Sequence, residues 1–359
     1  MWSMASLWIP SGTFLGPATL EGYQPKYSDN GVLYYFVSLL AFIILNPTLS
    51  TRIHEEFPEI LGVCNYVALA LCIWLLLSGR RKTGSDKPLL YDFYRGCELH
   101  PRFLGCDVKQ LTICRFGMMA WQLLCLAFFI AEYQRSGFSP GSLVTISLQT
   151  IYLAKFFYWE TGYFNTLDIT YDRAGYYLCW GCLVWVEITY TFHSYQMVTF
   201  PSQMSTNAAL ITFTVGLLCI VLNYRVDYEK QMFAAWWQRY LKEKSKAGVC
   251  YLWGKPAQYI EASYKDLTGK VKKSALLTSG FWGIARHDNY TFELICAFCW
   301  CLPAVVGNGP IPSLVYFIFL TVLLVHRVYR DEDKCQQKYG VYWDKYCKTV
   351  KYRLIPFVY

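Results

Sequence analysis

Apolar runs long enough to cross a bilayer constrain this chain more than any other feature. A spanning helix needs about 20 predominantly apolar residues. Eight candidate runs occur: Val32 to Leu45 (extended by Asn46 to Leu49), Ile60 to Leu77, Ile113 to Ala131, Leu143 to Tyr158, Tyr176 to Val198, Ala208 to Leu222, Phe292 to Val306 and Ile311 to Val325. They explain why only 16% of the residues are charged, against about a quarter in a soluble protein. The expected class is therefore all-α: a polytopic transmembrane helical bundle of about eight spans. No cleavable signal is expected ahead of the first run, where Met1 to Asn30 is mixed and carries Pro10, Pro17 and Pro25.

Charge placement sets the sidedness. Lys and Arg collect on the cytoplasmic face of membrane proteins. Seven lie in Ser78 to Leu111, eleven between Lys230 and Arg286, and eight from Arg327 to Arg353. The connection at Thr199 to Thr206 holds none, and Arg135 stands alone in another. Eight spans put every basic loop and both termini on one side. The break at Asn308-Gly309-Pro310 then makes a hairpin, so the flanking stretches Ser279 to Tyr290 and His326 to Cys347 emerge together. No linker or fixed-period repeat divides the chain, so residues 1–359 read as one domain. The net charge of +8 speaks to topology, and no nucleic-acid partner is expected.

Cysteine arithmetic adds little. Most of the fifteen cysteines lie inside apolar runs, where a thiol behaves as a small hydrophobe. The pairs Cys179/Cys182 and Cys296/Cys299 have metal-like spacing but lack a second matching pair, so no metal site is expected.

Polar residues at membrane depth carry the chemistry, because an ionisable group there is costly without a partner or cavity. Lys155 to Asp172 holds Glu160, Asp168 and Asp172 among many aromatic rings. Asp172 and the tyrosines also suit interfacial anchoring. Glu160 and Asp168, eight residues apart, would share one face of a continuing helix. Apolar surroundings would favour the protonated form, the state general-acid chemistry on a lipid requires. Glu187 and His193 follow in the fifth run. No nucleophile elbow, zincin motif, P-loop or dinucleotide-binding glycine fingerprint is present. An anionic, planar ligand would instead be held by the two C-terminal stretches, which offer Arg286, Asn289, Tyr290, Arg327, Arg330, Lys334, Lys338 and Tyr339. Anionic lipid would also be drawn to such cations, but the embedded Asp331, Asn289 and aromatic rings favour a ligand site.

Leu276 to Tyr290 and Leu323 to Tyr359, with YDFYRGCELHPRF (Tyr91 to Phe103) and FFYWETGYFNTLDITYDRAGYYLCWG (Phe156 to Gly181), resemble the integral-membrane sterol reductases, which reduce ring double bonds with NADPH. Trp159-Glu160-Thr161 and Leu167-Asp168-Ile169 look closest to the Δ7 branch. The resemblance implies a cytosol-facing NADPH pocket in 224–359, with 1–223 on the sterol side. Its implied contacts are Lys230, Leu277, Trp282, Asn289, Tyr290, Asp331, Cys335, Gln336, Gln337, Lys338, Tyr339 and Tyr346, to which the charge argument adds Arg286. It further implies a sterol substrate, membrane-lipid surroundings, a complex with other sterol-biosynthesis enzymes, and residence in the endoplasmic reticulum of a eukaryote or the inner membrane of a bacterium.

Reduction would proceed by protonation and then hydride addition, with Glu160, Asp168 and Tyr158 as the candidate acid or relay. Reduction at C14, a membrane methyltransferase similar at the extreme C-terminus, and a sterol-binding protein without catalysis are the rival readings. Four departures from the family pattern stand out. Ala234 replaces a cation four residues after Lys230, and Cys182 replaces an aspartate after Trp180-Gly181. Glu187 and Lys351 each replace a proline. Arg239 could supply the missing cation, and Glu187 the missing carboxyl. Family members also usually carry one or two more spans before the region matching Trp2.

Overall fold

The computed structural model describes residues 1–19, 22–45, 49–243, 248–265, 269–307 and 309–358. Asn308, part of the expected C-terminal turn, lies outside them, as do residues 46–48 of the first run and residues 244–247 of the basic segment after Ala234. The described chain is mostly helical and falls into two compact units. Unit 1 comprises Met1–Ala209 and Trp300–Tyr316, and unit 2 comprises Leu210–Cys299 and Phe317–Tyr359.

Among the described residues, four helices are long and apolar enough to cross a membrane: Phe57–Thr83, Gln110–Ser136, Thr206–Glu243 and Ile311–Tyr339. The bent pair Gly31–Ile44 and Leu49–Glu55 adds a fifth if it counts as one span. Local chemistry sets the helix ends. Phe57–Thr83 starts with Pro58 in its first turn and stops at Gly84, whose φ of +60° is the left-handed stop that glycine allows. Arg80, Arg81 and Lys82 occupy its last turn, opposite the negative end of the helix dipole. Pro140–Tyr158 is capped by the Ser139 hydroxyl, which accepts the Ser142 N–H. It is continuous but carries Ser142, Thr145, Gln149 and Lys155.

The fifth apolar run is not one helix. It is Tyr176–Trp180, a π-helical turn Gly181–Trp185, Val186–Thr189 and Phe192–Thr199. A second π segment, Gln110–Gly117, opens the third span. The two meet at Gly117, where an added Cβ would stand 2.7 Å from the Cys182 carbonyl. Wide π turns are rare and cluster at functional sites. An aromatic group in unit 1 joins buried Trp121, Trp300 and Tyr316 to half-buried Tyr152 and Tyr190. Trp121, Tyr152, Tyr190, Trp300 and Tyr316 have ring centroids 4.4 to 6.3 Å apart.

Strands modify the all-α expectation in the polar loops. Tyr259–Lys265 pairs antiparallel with Val271–Leu277, from Tyr259 opposite Leu277 to Lys265 opposite Val271. Shorter hairpins join Gly12–Leu15 to Lys26–Asp29, Arg102–Phe103 to Cys106–Asp107, and Tyr251–Leu252 to Lys255–Pro256. Outside hydrocarbon the backbone is free to use hairpins as well as helices. In unit 2, Val226, Phe233, Cys250, Leu252, Leu277 and Trp282 form one core. Trp343, Tyr346 and Val350 form another against Ile260 and Leu276 of the long hairpin.

Candidate active site

In unit 2 a buried carboxylate sets the key turn. Glu229 is fully buried; it accepts the Phe281 N–H at 3.2 Å and the Trp253 indole N–H at 2.7 Å. That fixes Gly280–Gly283, with Gly280 at φ +64°. Trp282 is held there by its own indole N–H, which donates to the Val226 carbonyl at 2.9 Å. The Tyr346 hydroxyl donates to the Trp282 carbonyl at 3.3 Å. One residue after Glu229, the Lys230 ammonium lies 3.9 Å from the Trp282 ring centroid, a cation–π distance.

Several other sequence candidates gather on this unit. The Tyr290 hydroxyl donates to Asp331 at 3.4 Å, and His287 stacks on Tyr290 with ring centroids 5.2 Å apart. The charge of Lys230 acts on His287, Asp331 and Cys335. Asn289 donates to Asp227 at 3.0 Å, while its Oδ1 is buried with no hydrogen-bond partner among the described residues. Lys338 lies over the rings of Tyr264 and Tyr339, at 4.3 and 4.9 Å. Gln336 and Gln337 are exposed, and Leu277 is core. Burial first, then the nearby Lys230 and Arg286 charges, holds the His287 imidazole down at about 3. Burial raises Asp288 to about 6.

Arg286 plays a different part from the phosphate partner that charge counting suggests. Its guanidinium donates twice to Glu332, at 2.9 and 2.6 Å, and to the Val350 and Lys351 carbonyls at 2.7 and 3.2 Å. Glu332 also accepts from Arg353 at 2.9 Å. Arg286 is committed to holding the C-terminal tail.

The remaining candidates lie in unit 1. Glu160 and Asp168 do not share a continuous helix: the long helix stops at Tyr158, and two single turns follow, Glu160–Tyr163 and Leu167–Thr170. Gly162 lies where a side chain would collide with the Trp159 ring. Glu160 is buried and takes both ends of the Arg115 guanidinium, Nη1 to Oε1 and Nη2 to Oε2. Arg115 Nη2 also donates to Asn30 Oδ1 at 2.9 Å. Tyr158 is 77% exposed. Asp168 accepts from the Tyr163 hydroxyl at 3.5 Å, and its carbonyl and that of Ile169 receive the buried Lys109 ammonium at 3.1 and 2.7 Å. Burial lowers Lys109 to about 8 despite the neighbouring Asp107 and Asp172.

Residues 10–359 match the model of a family described as "Ergosterol biosynthesis ERG4/ERG24 family". A 7-dehydrocholesterol reductase of Arabidopsis thaliana is 39% identical over 99% of this chain and 82% of its own length. One from Danio rerio is 32% identical over 95% of this chain and 71% of its own. A Delta(14)-sterol reductase of Methylotuvimicrobium alcaliphilum is 30% identical over 98% of this chain and 79% of its own.

The chain belongs to the ERG4/ERG24 sterol reductase family. It is an integral-membrane oxidoreductase of sterol metabolism.

In this ERG4/ERG24 protein, several groups take on a role only in the folded chain. Arg115 is one, although a lone arginine inside an apolar run was a visible signal. The aromatic group around Trp121 and Trp300 had no local signature, because its rings come from distant segments. Glu187 stands out in the sequence both as an ionisable group at membrane depth and as a replacement carboxyl. It is 2% exposed, and neither of its oxygens has a hydrogen-bond partner among the described residues. His193, fully buried beside Tyr316, likewise has no partner on Nε2 among them.

Proposed function

We propose that this chain reduces a ring C=C bond of a sterol with NADPH, at Δ7 of a 5,7-diene. Family membership supports reduction of a sterol double bond. The bond is chosen from the Δ7-named relatives. Δ14 is the second reading, favoured by the relative of that name.

The observation that carries the cofactor reading is the Lys230–Trp282 pair, with the Asn289 Oδ1 of the same unit buried and without a donor among the described residues. A nicotinamide dinucleotide offers anionic phosphates, flat rings, hydroxyls and an amide. Lys230 and Lys338 would offset phosphate charge. Trp282, Tyr290 and Tyr339 would flank a ring, and Asn289 and Asp331 would receive amide or ribose donors. Leu277, Cys335, Gln336, Gln337 and Tyr346 complete the proposed wall. NADPH, when bound, supplies the hydride.

On the substrate side, one alkene carbon gains a proton, its C–H bond forming from the π electrons. The other carbon becomes cationic and takes the hydride. The acid must hold a proton away from water. Glu160 is paired with Arg115 in this structure and is better suited to accepting; Asp168 and Tyr158 remain candidates for the relay. Glu187 fits the acid best, because an unpaired carboxylate buried this deeply is too costly to stay charged. The rings around Trp121 and Trp300 can stabilise the cation. The proposed frame is the full set of eight spans working as one domain, with cytoplasmic termini.

The deciding experiment supplies membranes holding the chain with a 5,7-diene sterol and either NADPH or NADH, and identifies the product by mass spectrometry. Loss of the Δ7 bond with NADPH is the expected outcome; an unchanged 5,7-diene together with loss of the Δ14 bond from an 8,14-diene sterol supplied in parallel favours the second reading. Product with NADH but none with NADPH would defeat the cofactor assignment. Glu187→Gln should cut turnover at least about a hundredfold with NADPH affinity retained.

A further inference from the structure

The stretch YDFYRG, Tyr91 to Gly96, serves neither the cofactor reading nor the acid chemistry. In unit 1 it closes a short helix, Leu89–Arg95, that follows the basic end of the Phe57–Thr83 span. The helix is inside out for a protein in water. Its acid, Asp92, is 1% exposed, whereas Leu90 is 78% exposed and Leu89, Tyr91 and Tyr94 are also exposed. Asp92 accepts from Arg80 Nη1 at 2.6 Å and from the Ser85 hydroxyl at 3.1 Å. Arg80 also donates to the Lys87 carbonyl at 2.8 Å, so the polar face is spent on holding the helix to the span end. The apolar face is left outside, and an exposed apolar patch of this kind marks an interaction surface.

That face borders an open groove of about 590 Å³, lined by Pro88, Leu90, Tyr91, Phe93, Tyr94 and Tyr176 and apolar throughout. The volume falls in the range of small-molecule sites, about 300–1,000 Å³. Two glycines bring the walls together. A Cβ on Gly96 would stand 2.4 Å from the Ala174 carbonyl oxygen, and one on Gly175 2.3 Å from the Gly96 nitrogen. The contact sets the Tyr176 ring on Phe93, stacked at 5.4 Å. The edge of the groove is basic. The Lys87 ammonium lies 4.9 Å from the Tyr91 ring centroid, and exposed Arg81 and Arg173 stand on the flanking segments. Lys82 is paired with Glu98 and Arg95 with Asp172. Arg81, Lys87 and Arg173 make no ion pair among the described residues, and Asp86 is the exposed carboxylate that opposes them.

We propose that this groove seats one anionic diacyl phospholipid, with an acyl chain against the aromatic wall and the phosphate facing Lys87, Arg81 and Arg173. Such a lipid brings a hydrocarbon chain and a net negative head together, and the groove offers a partner to each. A sterol brings no charge to the cations. A peptide would bury backbone polar groups against a wall that has no partner for them. A choline head would place its own cation among three others, so the zwitterionic lipid gains less. Tyr91 and Tyr94 are then headgroup-level anchors. The site is independent of the reductase reading.

The test compares two lipids that differ only in the head. The full chain is placed in phosphatidylcholine nanodiscs with trace phosphatidylglycerol or phosphatidylcholine carrying the same diazirine acyl chain, and the labelled peptides are mapped by mass spectrometry. Phosphatidylglycerol should label Leu89 to Tyr94 and the Tyr176 segment about fivefold or more above phosphatidylcholine, the value of a cation near an anionic head. The excess should shrink in high salt. Combining Arg81→Gln, Lys87→Gln and Arg173→Gln keeps the wall and should bring the two probes within about twofold. Leu90→Glu should cut phosphatidylglycerol labelling about tenfold with an unchanged unfolding temperature; if that variant does not fold, the triple substitution decides. Equal labelling by the two lipids, an excess that survives the triple substitution, or label on other segments only overturns the proposal. Stronger labelling of the same segments by a diazirine sterol overturns it as well.

Discussion

His287 shows how burial turns a common residue into a pH-sensitive one. It lies beside Lys230 and Arg286 with its Nε2 buried and lacking a hydrogen-bond partner among the described residues. The folded chain keeps it neutral down to about 3, whereas an unfolded histidine takes up a proton near 6.5. The unfolded state therefore binds the extra proton between those values, and stability falls as pH drops through that window. Asp288, raised to about 6, works the other way over part of the same range, because the folded state holds its proton longer. His287→Asn should therefore weaken the acid-side loss of stability, read as the unfolding midpoint between pH 6.5 and 4. Lys230→Met tests the cofactor reading at the same scale. NADPH affinity should fall about tenfold or more, read by titration of the purified protein.

Helices and turns are where the sequence and the folded chain differ most. Periodicity alone draws Tyr176 to Val198 as one span, yet a π turn and a break at Tyr190 and Thr191 divide it. Nothing in the composition marks a π turn; it depends on the close approach of Gly117 to the Cys182 carbonyl. Gly117→Val should force the two segments apart, lowering stability by about 1–3 kcal/mol, measurable by thermal unfolding in detergent. The C-terminal tail depends on another non-local contact, the bonds of Arg286 to Glu332, Val350 and Lys351. Arg286→Met should cost about 1–3 kcal/mol. Glu332 keeps Arg353 as a partner, so the loss stays below that of stranding a fully buried charge. NADPH affinity per folded molecule should hold, since Arg286 is spent on the fold; a selective loss of affinity without loss of stability would return it to the cofactor site.

Across the whole molecule, charge placement proposes a topology that can be tested directly. Tags fused at Met1 and Tyr359 should both be accessible from the cytosolic side of sealed vesicles, and a tag in the Thr199–Thr206 connection from the opposite side. The helical membrane class and the family are legible without any coordinates. Both reside in properties that survive unfolding: the length of apolar runs, set by the thickness of hydrocarbon, and the order of motifs along the chain. The pairing of polar groups is different. The sequence offers Arg115, Glu160, Arg286 and Glu332 as charges, and Glu187 as one more carboxyl, without saying which is satisfied and which is left alone. Only the packed chain decides that Arg115 clamps Glu160, that Arg286 is spent on the tail, and that the oxygens of Glu187 have no hydrogen-bond partner among the described residues. A hydrogen bond needs its partners within about 3 Å, and residues 45 or 64 positions apart in the chain reach that distance only through tertiary packing.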